Sequence, residues 1–140
     1  MKPLVQLDDW RRYHRDGEQF LHTAEEAARK RPEVFTPEIL YNVVAMAIEK
    51  YIMAFLMYHG DLAENHTMGD LLRAVELHTG PQPELAARLL RLDAYQEICD
   101  MDSYKRRPPS TDDLPDILAT GREVREFVRN RLQLPQDSNR

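Results

Sequence analysis

Apolar residues recur at three- and four-residue spacings along most of the chain, and no segment alternates apolar with polar residues between hairpin turns. The pattern predicts an all-α chain. Its densest stretch is Thr36 to Gly60, TPEILYNVVAMAIEKYIMAFLMYHG, in which only Asn42, Glu49 and Lys50 are strongly polar between Ile39 and Tyr58. A helix this apolar must be covered on nearly all sides. Thr36 can cap its first turn, Pro37 fits the first helical position, and Gly60 can end it in the left-handed conformation. The run is long enough to span a bilayer, but Glu49 and Lys50 near its middle would each cost about 2.5–3.5 kcal/mol there. It therefore reads as the core helix of a soluble bundle.

The flanking segments carry weaker versions of the same period. From Asp8 to Arg31, residues Trp10, Tyr13, Phe20, Ala24, Ala27 and Ala28 fall near one stripe, with Gly17 on it as a weak point or a close-packing contact. Arg29, Lys30 and Arg31 complement the helix dipole before Pro32 stops the helix. Thr67-Met68-Gly69-Asp70 has capping-box order and opens a short third helix with Met68, Leu71, Leu72 and Val75 inward. Gly80-Pro81 closes it. Pro83 opens a fourth helix expected to run to Tyr104, burying Leu85, Leu89, Leu92, Tyr95, Ile98 and Cys99. Pro108 and Pro109 mark a loop, and a fifth helix from Asp113 to Leu134 should bury Ile117, Leu118, Val124, Phe127, Val128 and Leu132.

Short connections between helices two to five favour antiparallel neighbours. The expected architecture is an up-and-down four-helix bundle with an additional short helix, the third, as an appendage. One domain, residues 1–134, is expected, with a disordered tail at 135–140.

Composition narrows the function classes. The single cysteine, Cys99, excludes an intrachain disulfide and a cysteine-rich zinc site. The opening segment MKPLVQLDDWRRYHR has no apolar signal region, so a cytoplasmic location without membrane association is the expectation. The formal charge of −5 argues against a dedicated nucleic-acid coat. Basic clusters at Arg11, Arg12 and Arg15, at Arg29 to Arg31, and at Arg122, Arg125, Arg129 and Arg131 are flanked by acids and read as solvated helix faces. Lys105, Arg106 and Arg107 lie in the predicted loop and are the better functional candidates.

Several residue sets have chemistry of their own. His66 precedes the third helix, whose free amides and dipole favour an anion, and a neutral histidine there can donate or accept a proton; packing into the loop is its structural alternative. The guanidinium forks of Arg106 and Arg107 suit phosphate oxygens, and the Tyr104 ring can stack on a base. Lys50 would be poorly placed unless paired or facing a wet cleft. Glu38, Asn42 and Glu49 share one face of the central helix, which is either its wetted edge or a contact surface. His14, Glu18, His22 and Glu26 form a row at four-residue spacing and read as a surface stripe rather than a metal site. Met46, Met53 and Met57 read as core filler. With no glycine-rich phosphate loop and no nucleophile elbow, neither a cofactor nor covalent catalysis is expected.

The order of these pieces resembles the HEPN family of small all-α proteins. An N-terminal helix built around Trp10 leads into AIEKYIMAFLMYHG at 47–60, similar to the family's long second helix and its closing glycine. His66-Thr67-Met68-Gly69-Asp70-Leu71-Leu72 resembles its His and Leu-Leu signature at the third helix. Tyr104-Lys105-Arg106-Arg107-Pro108 resembles the segment before its last helix.

The resemblance implies a homodimeric bundle with a cleft for nucleotides or RNA, and a nucleotidyltransferase-like protein as partner. Ribonuclease members place a histidine four to six residues after an arginine near the last helices. Here the histidines are His14, His22, His59, His66 and His78, so none after position 78 can supply that motif near the last helices. The expectation is a non-catalytic nucleotide- or RNA-binding module with His66, Tyr104, Arg106, Arg107 and Lys50 as ligand-binding residues. The alternatives are a toxin ribonuclease with a displaced Arg/His site and a purely structural interaction bundle.

Overall fold

The computed structural model describes residues 9–31, 33–63, 65–95 and 108–132. They form five α-helices: α1 (Asp9–Lys30), α2 (Pro37–Tyr58), α3 (Met68–Thr79), α4 (Pro83–Asp93) and α5 (Leu114–Leu132), the last preceded by a 3-10 turn at Thr111–Asp113. The all-α expectation holds, and no strand occurs among the described residues.

Helix α2 organises the rest. Thr36 Oγ1 accepts the Ile39 N–H at 3.3 Å, and Pro37 takes the first turn. At the far end Gly60 has φ 74°, its N–H donates to Met57 O at 2.9 Å, and the Asp61 N–H reaches back to Leu56 O at 2.8 Å. These two bonds form a Schellman motif, which needs the left-handed backbone that glycine supplies without strain. Every residue from Tyr51 to Met57 is buried, so this part of the helix has no solvent face. Although α2 is long and apolar enough to span a bilayer, 67% of its most apolar window is buried against the other helices. Its exposed edge carries Glu38, Ile39, Asn42 and Met46. Met46 is 44% exposed, so it lies on that edge and is not core filler, unlike Met53 and Met57.

The helix directions follow from contacts. Trp10 meets Tyr58 edge-on at 5.3 Å and Gly17 sits under the Tyr51 ring, which makes α1 antiparallel to α2. A Cβ on Gly17 would lie 3.1 Å from that ring, so the glycine marks a close helix approach. Gly121 is wedged in the same way between Leu21 and Val44, and Phe127 lies 6.0 Å from Phe55; α5 thus runs parallel to α2. Trp10, Gly17, Ala24 and Ala27 are buried on the inward stripe of α1 as expected, whereas Leu21 is fully buried where Phe20, only half-buried, was expected.

Helices α3 and α4 depart from that reading in two ways. His66 beside Glu49, and His78 beside Phe55 and Asp61, show that the 59–67 connection doubles back so that α3 runs parallel to α2. The expected antiparallel pairing of these neighbours fails because nine residues are enough to retrace part of α2. Helix α4 ends at Asp93 and gives way to a turn at Ala94–Tyr95, where a helix to Tyr104 was expected. Tyr41 Oη donates to Leu92 O at 2.8 Å, and the Tyr95 ring packs against Tyr41 at 5.3 Å, fixing that end on α2. The expected core positions Ile98 and Cys99 and the tail after Leu132 lie outside the described residues.

Candidate functional site

Helix α2 is apolar around Tyr51, yet a phenol there must find a partner for its hydroxyl. Tyr51 has no exposed surface, and its Oη donates to Glu18 Oε1 on α1 at 2.9 Å. The other carboxylate oxygen, Oε2, accepts Arg129 Nε from α5 at 2.9 Å and also Arg129 Nη2. Three helices therefore meet on one carboxylate. His14, one turn before Glu18, packs edge-on against the Tyr51 ring at 5.6 Å.

Two atoms of this cluster are left over. His14 Nε2 and Arg125 Nε are closed to solvent, and neither has a hydrogen-bond partner among the described residues. His14 Nε2 lies 3.6 Å from Glu18 Oε2, and Arg125 Nε lies 3.5 Å from Glu126 Oε2: both are too far for a good hydrogen bond, although the arginine is close enough for Coulomb attraction. Buried donors and acceptors in this condition are rare.

The electrostatics follow the packing. Burial raises the Tyr51 pKa far above the phenol range, and the Glu18 charge adds to it. Burial lowers the His14 pKa; Glu18 pulls it back up and Arg129 pushes it further down. The neutral imidazole is thus the favoured form at pH 7. Burial opposes the charge on Arg129, but its bonds to Glu18 outweigh this and hold its pKa above the ordinary value.

The residues singled out from sequence fall differently. Lys50 is half-buried, with its ammonium 4.8 Å from the centroid of the Tyr13 ring, a cation–π contact on the flank of the α1–α2 seam. His66 Nδ1 donates to Glu49 Oε2, so the polar face of α2 does meet a partner, and that partner is the candidate histidine. Its side chain remains 49% exposed.

The N-terminus of α3 already holds a carboxylate. Asp93 of α4 fills it, accepting Met68 N–H on Oδ1 and Gly69 N–H on Oδ2, both at 3.0 Å, while Thr67 Oγ1 accepts Asp70 N–H at 3.1 Å. The protein thus places a carboxylate of its own at the helix end that favours an anion. Tyr104, Arg106 and Arg107 lie outside the described residues. The segment that carries them leaves from Tyr95, seated on Tyr41, and returns at Ser110, whose N–H and hydroxyl both donate to Asp113 Oδ2 at 2.8 and 3.1 Å.

Sequence reasoning missed Tyr51, Arg125 and Arg129, and placed His14 and Glu18 on a surface stripe. That row divides: His14 and Glu18 turn inward, His22 is exposed, and Glu26 pairs with Arg29 and Lys30 at 2.7 and 2.9 Å, which draws its pKa down to about 2. Among the described residues no group of three His, Cys, Asp or Glu side chains is placed to hold a metal ion. The signal available in the sequence was the tyrosine itself, a hydroxyl inside an apolar run that requires a polar partner from another helix.

No protein-family model matches the chain, and no curated protein matches it. The crystal structure of TT1696 from Thermus thermophilus is similar to it, with a TM-score of 0.70 at 15% sequence identity over 87% of this chain and 97% of that one. At this identity the likeness shows a shared helical fold.

Proposed function

We propose that the chain is a HEPN-like module that binds a nucleotide or a short RNA segment without cleaving it, acting as a homodimer and with a nucleotidyltransferase-like partner. The observation that supports it is the pair of unsatisfied atoms at Tyr51, Arg125 Nε and His14 Nε2. A buried donor without an acceptor costs about 1–3 kcal/mol, more when charged. A phosphate oxygen admitted by a local opening of the seam is an acceptor for both groups, since guanidinium and imidazole N–H both donate to it. Lys50 adds a cation on the flank of the same seam, beside an aromatic ring suited to stacking. His66, held by Glu49, and Tyr104, Arg106 and Arg107 complete the ligand set in this reading; Asp93 removes only the helix end from it.

Calorimetric titration of ATP, GTP and a short oligoribonucleotide tests it. The wild-type chain should bind at least one, and Arg125→Gln or the double variant Arg106→Ala, Arg107→Ala should weaken binding about tenfold or more. No binding by the wild type overturns the proposal.

A second reading, RNA cleavage at a displaced Arg/His site, is favoured by one observation: α1 brings His14 to the arginines of α5, whose own sequence has no histidine. Neutral His14 would take the proton of a 2′-hydroxyl and Arg125 would face the phosphate. Cleavage of total RNA that is lost in His14→Ala and kept in His66→Ala would support this reading. Intact RNA at high protein concentration would end it.

A further inference from the structure

The connection after α2 and the outer face of α3 enclose an open groove of about 670 Å³, whose lining includes Leu62, Leu77 and Pro81. It shares no residue with the Tyr51 cluster. Two of its apolar side chains stand in water: Leu77 is 83% exposed and Leu62 38%. Helix α3 does not need Leu77 for its own packing, because Met68, Leu71, Leu72 and Val75 already fill its inward face. A single exposed leucine is ordinary; one at the rim of a concavity beside a second is a candidate anchor site.

The charge of the groove is one-sided. Asp61, Asp70 and Glu76 line it against one arginine, Arg73. Asp61 is engaged by His78 Nε2 at 2.9 Å, and Asp70 by Arg73 and by the Thr67 hydroxyl. Glu76 accepts the Gln82 backbone N–H at 2.8 Å and has no cationic partner among the described residues. This lining repels phosphate and anionic lipid, which excludes RNA and membrane headgroups as occupants.

We infer that the groove docks a basic amphipathic segment of another protein, with an apolar side chain of that segment against Leu77, Leu62 and Pro81 and a lysine or arginine on Glu76. The apolar anchor supplies affinity, and the carboxylates select the sign of the partner's charge and its register. His78 and Arg73 occupy the other two carboxylates, so Glu76 is the position at which a new cation gains most.

The test uses the full chain and a short synthetic peptide of alternating leucine and lysine, with a leucine and glutamate peptide as counterpart. Binding is followed by amide shifts in nuclear magnetic resonance. The lysine peptide should move the amides of Asp61 to Ala63 and Arg73 to Leu77, and the glutamate peptide should bind about tenfold more weakly or not at all. Leu77→Ser and Glu76→Gln should each weaken the lysine peptide about tenfold. Both variants should fold, since Leu77 is exposed and a glutamine still accepts the Gln82 N–H. Equal binding of the two peptides, no binding at millimolar concentration, or indifference to both substitutions overturns the inference. Concentration-dependent shifts of the same amides without peptide would seat a second copy there and overturn it too.

Discussion

Replacing Tyr51 by Phe removes one oxygen from the middle of the bundle and leaves the ring that packs on Gly17 in place. The hydroxyl donates to Glu18 Oε1 at 2.9 Å while Arg129 holds Oε2, so the substitution takes one of the donors that stabilise a single carboxylate. A hydrogen bond to a charged acceptor contributes about 1.5–3 kcal/mol. The Glu18 side chain keeps 27% exposure, so water can replace part of the lost donation, and the expected loss falls to about 1–2 kcal/mol. In urea the midpoint should drop with the slope unchanged, and the thermal midpoint should fall by about 3–8 °C for a chain of this size. A double-mutant cycle locates the effect. In a Glu18→Gln background the same substitution should cost much less, leaving a coupling of about 1 kcal/mol. If Tyr51→Phe lies within about 0.5 kcal/mol of wild type, or its effect simply adds to that of Glu18→Gln, the reasoning about a shared carboxylate is wrong.

Asp93→Ala should lose about 1–2 kcal/mol, because it orphans two amides at the start of α3 and removes a charge that complements the helix dipole. Inorganic phosphate should then raise the melting point of the variant more than that of wild type, and an equal rise in both would refute the capping role. His14 and His59 are both held below the ordinary histidine value of 6.5, first by burial and, for His59, next by the ring of His78 stacked on it at 5.0 Å. The unfolded chain therefore takes up protons first as the pH falls, so stability is full above about pH 6.5 and declines below it. Urea midpoints measured between about pH 5 and pH 8 should show this slope, and it should flatten in the double variant His14→Gln, His59→Gln. A slope of opposite sign would contradict the assignment.

The fold was legible wherever local chemistry and period agreed. Thr36, Pro37 and Gly60 bounded α2, and Thr67 marked the start of α3, because capping depends on the residue and its near neighbours. What escaped was set by partners far apart in sequence. Asp93 reaches the α3 N-terminus across twenty-five positions, and nothing in Thr67-Met68-Gly69-Asp70 announces that its amides will be filled from α4. The direction of α3 escaped for the same reason: a nine-residue connection permits either a reversal or a retracing, and His66 beside Glu49 records which was taken. The site was hidden by periodicity itself. A residue one position off the apolar stripe of α1 looks solvated, whereas Gly17 lets α2 approach so closely that His14 and Glu18 beside it are drawn into the seam. Basic residues on α5 likewise read as a wet face until Glu18 captured Arg129.

The Tyr51 cluster is also a poor device for stability alone, which is a second support for the binding role proposed for it. Replacing even a fully buried ion pair with apolar side chains of similar volume is often neutral or stabilises by about 1–4 kcal/mol, and the Glu18–Arg129 pair is only partly buried. Residues Ile48, Ile52, Phe55 and Val124 show that the helices lining this seam accept apolar packing without difficulty. Instead the chain places a tyrosine, a glutamate, two arginines and a histidine where the three helices converge. It satisfies Tyr51, Glu18 and Arg129 among themselves and leaves His14 Nε2 and Arg125 Nε with nothing to bond among the described residues. A network built to rigidify a core would be complete, since a partly satisfied one is worse than none. The incomplete part is one titratable nitrogen held neutral and one permanent cation, on two different helices, and it is on these two atoms that the proposed phosphate binding rests.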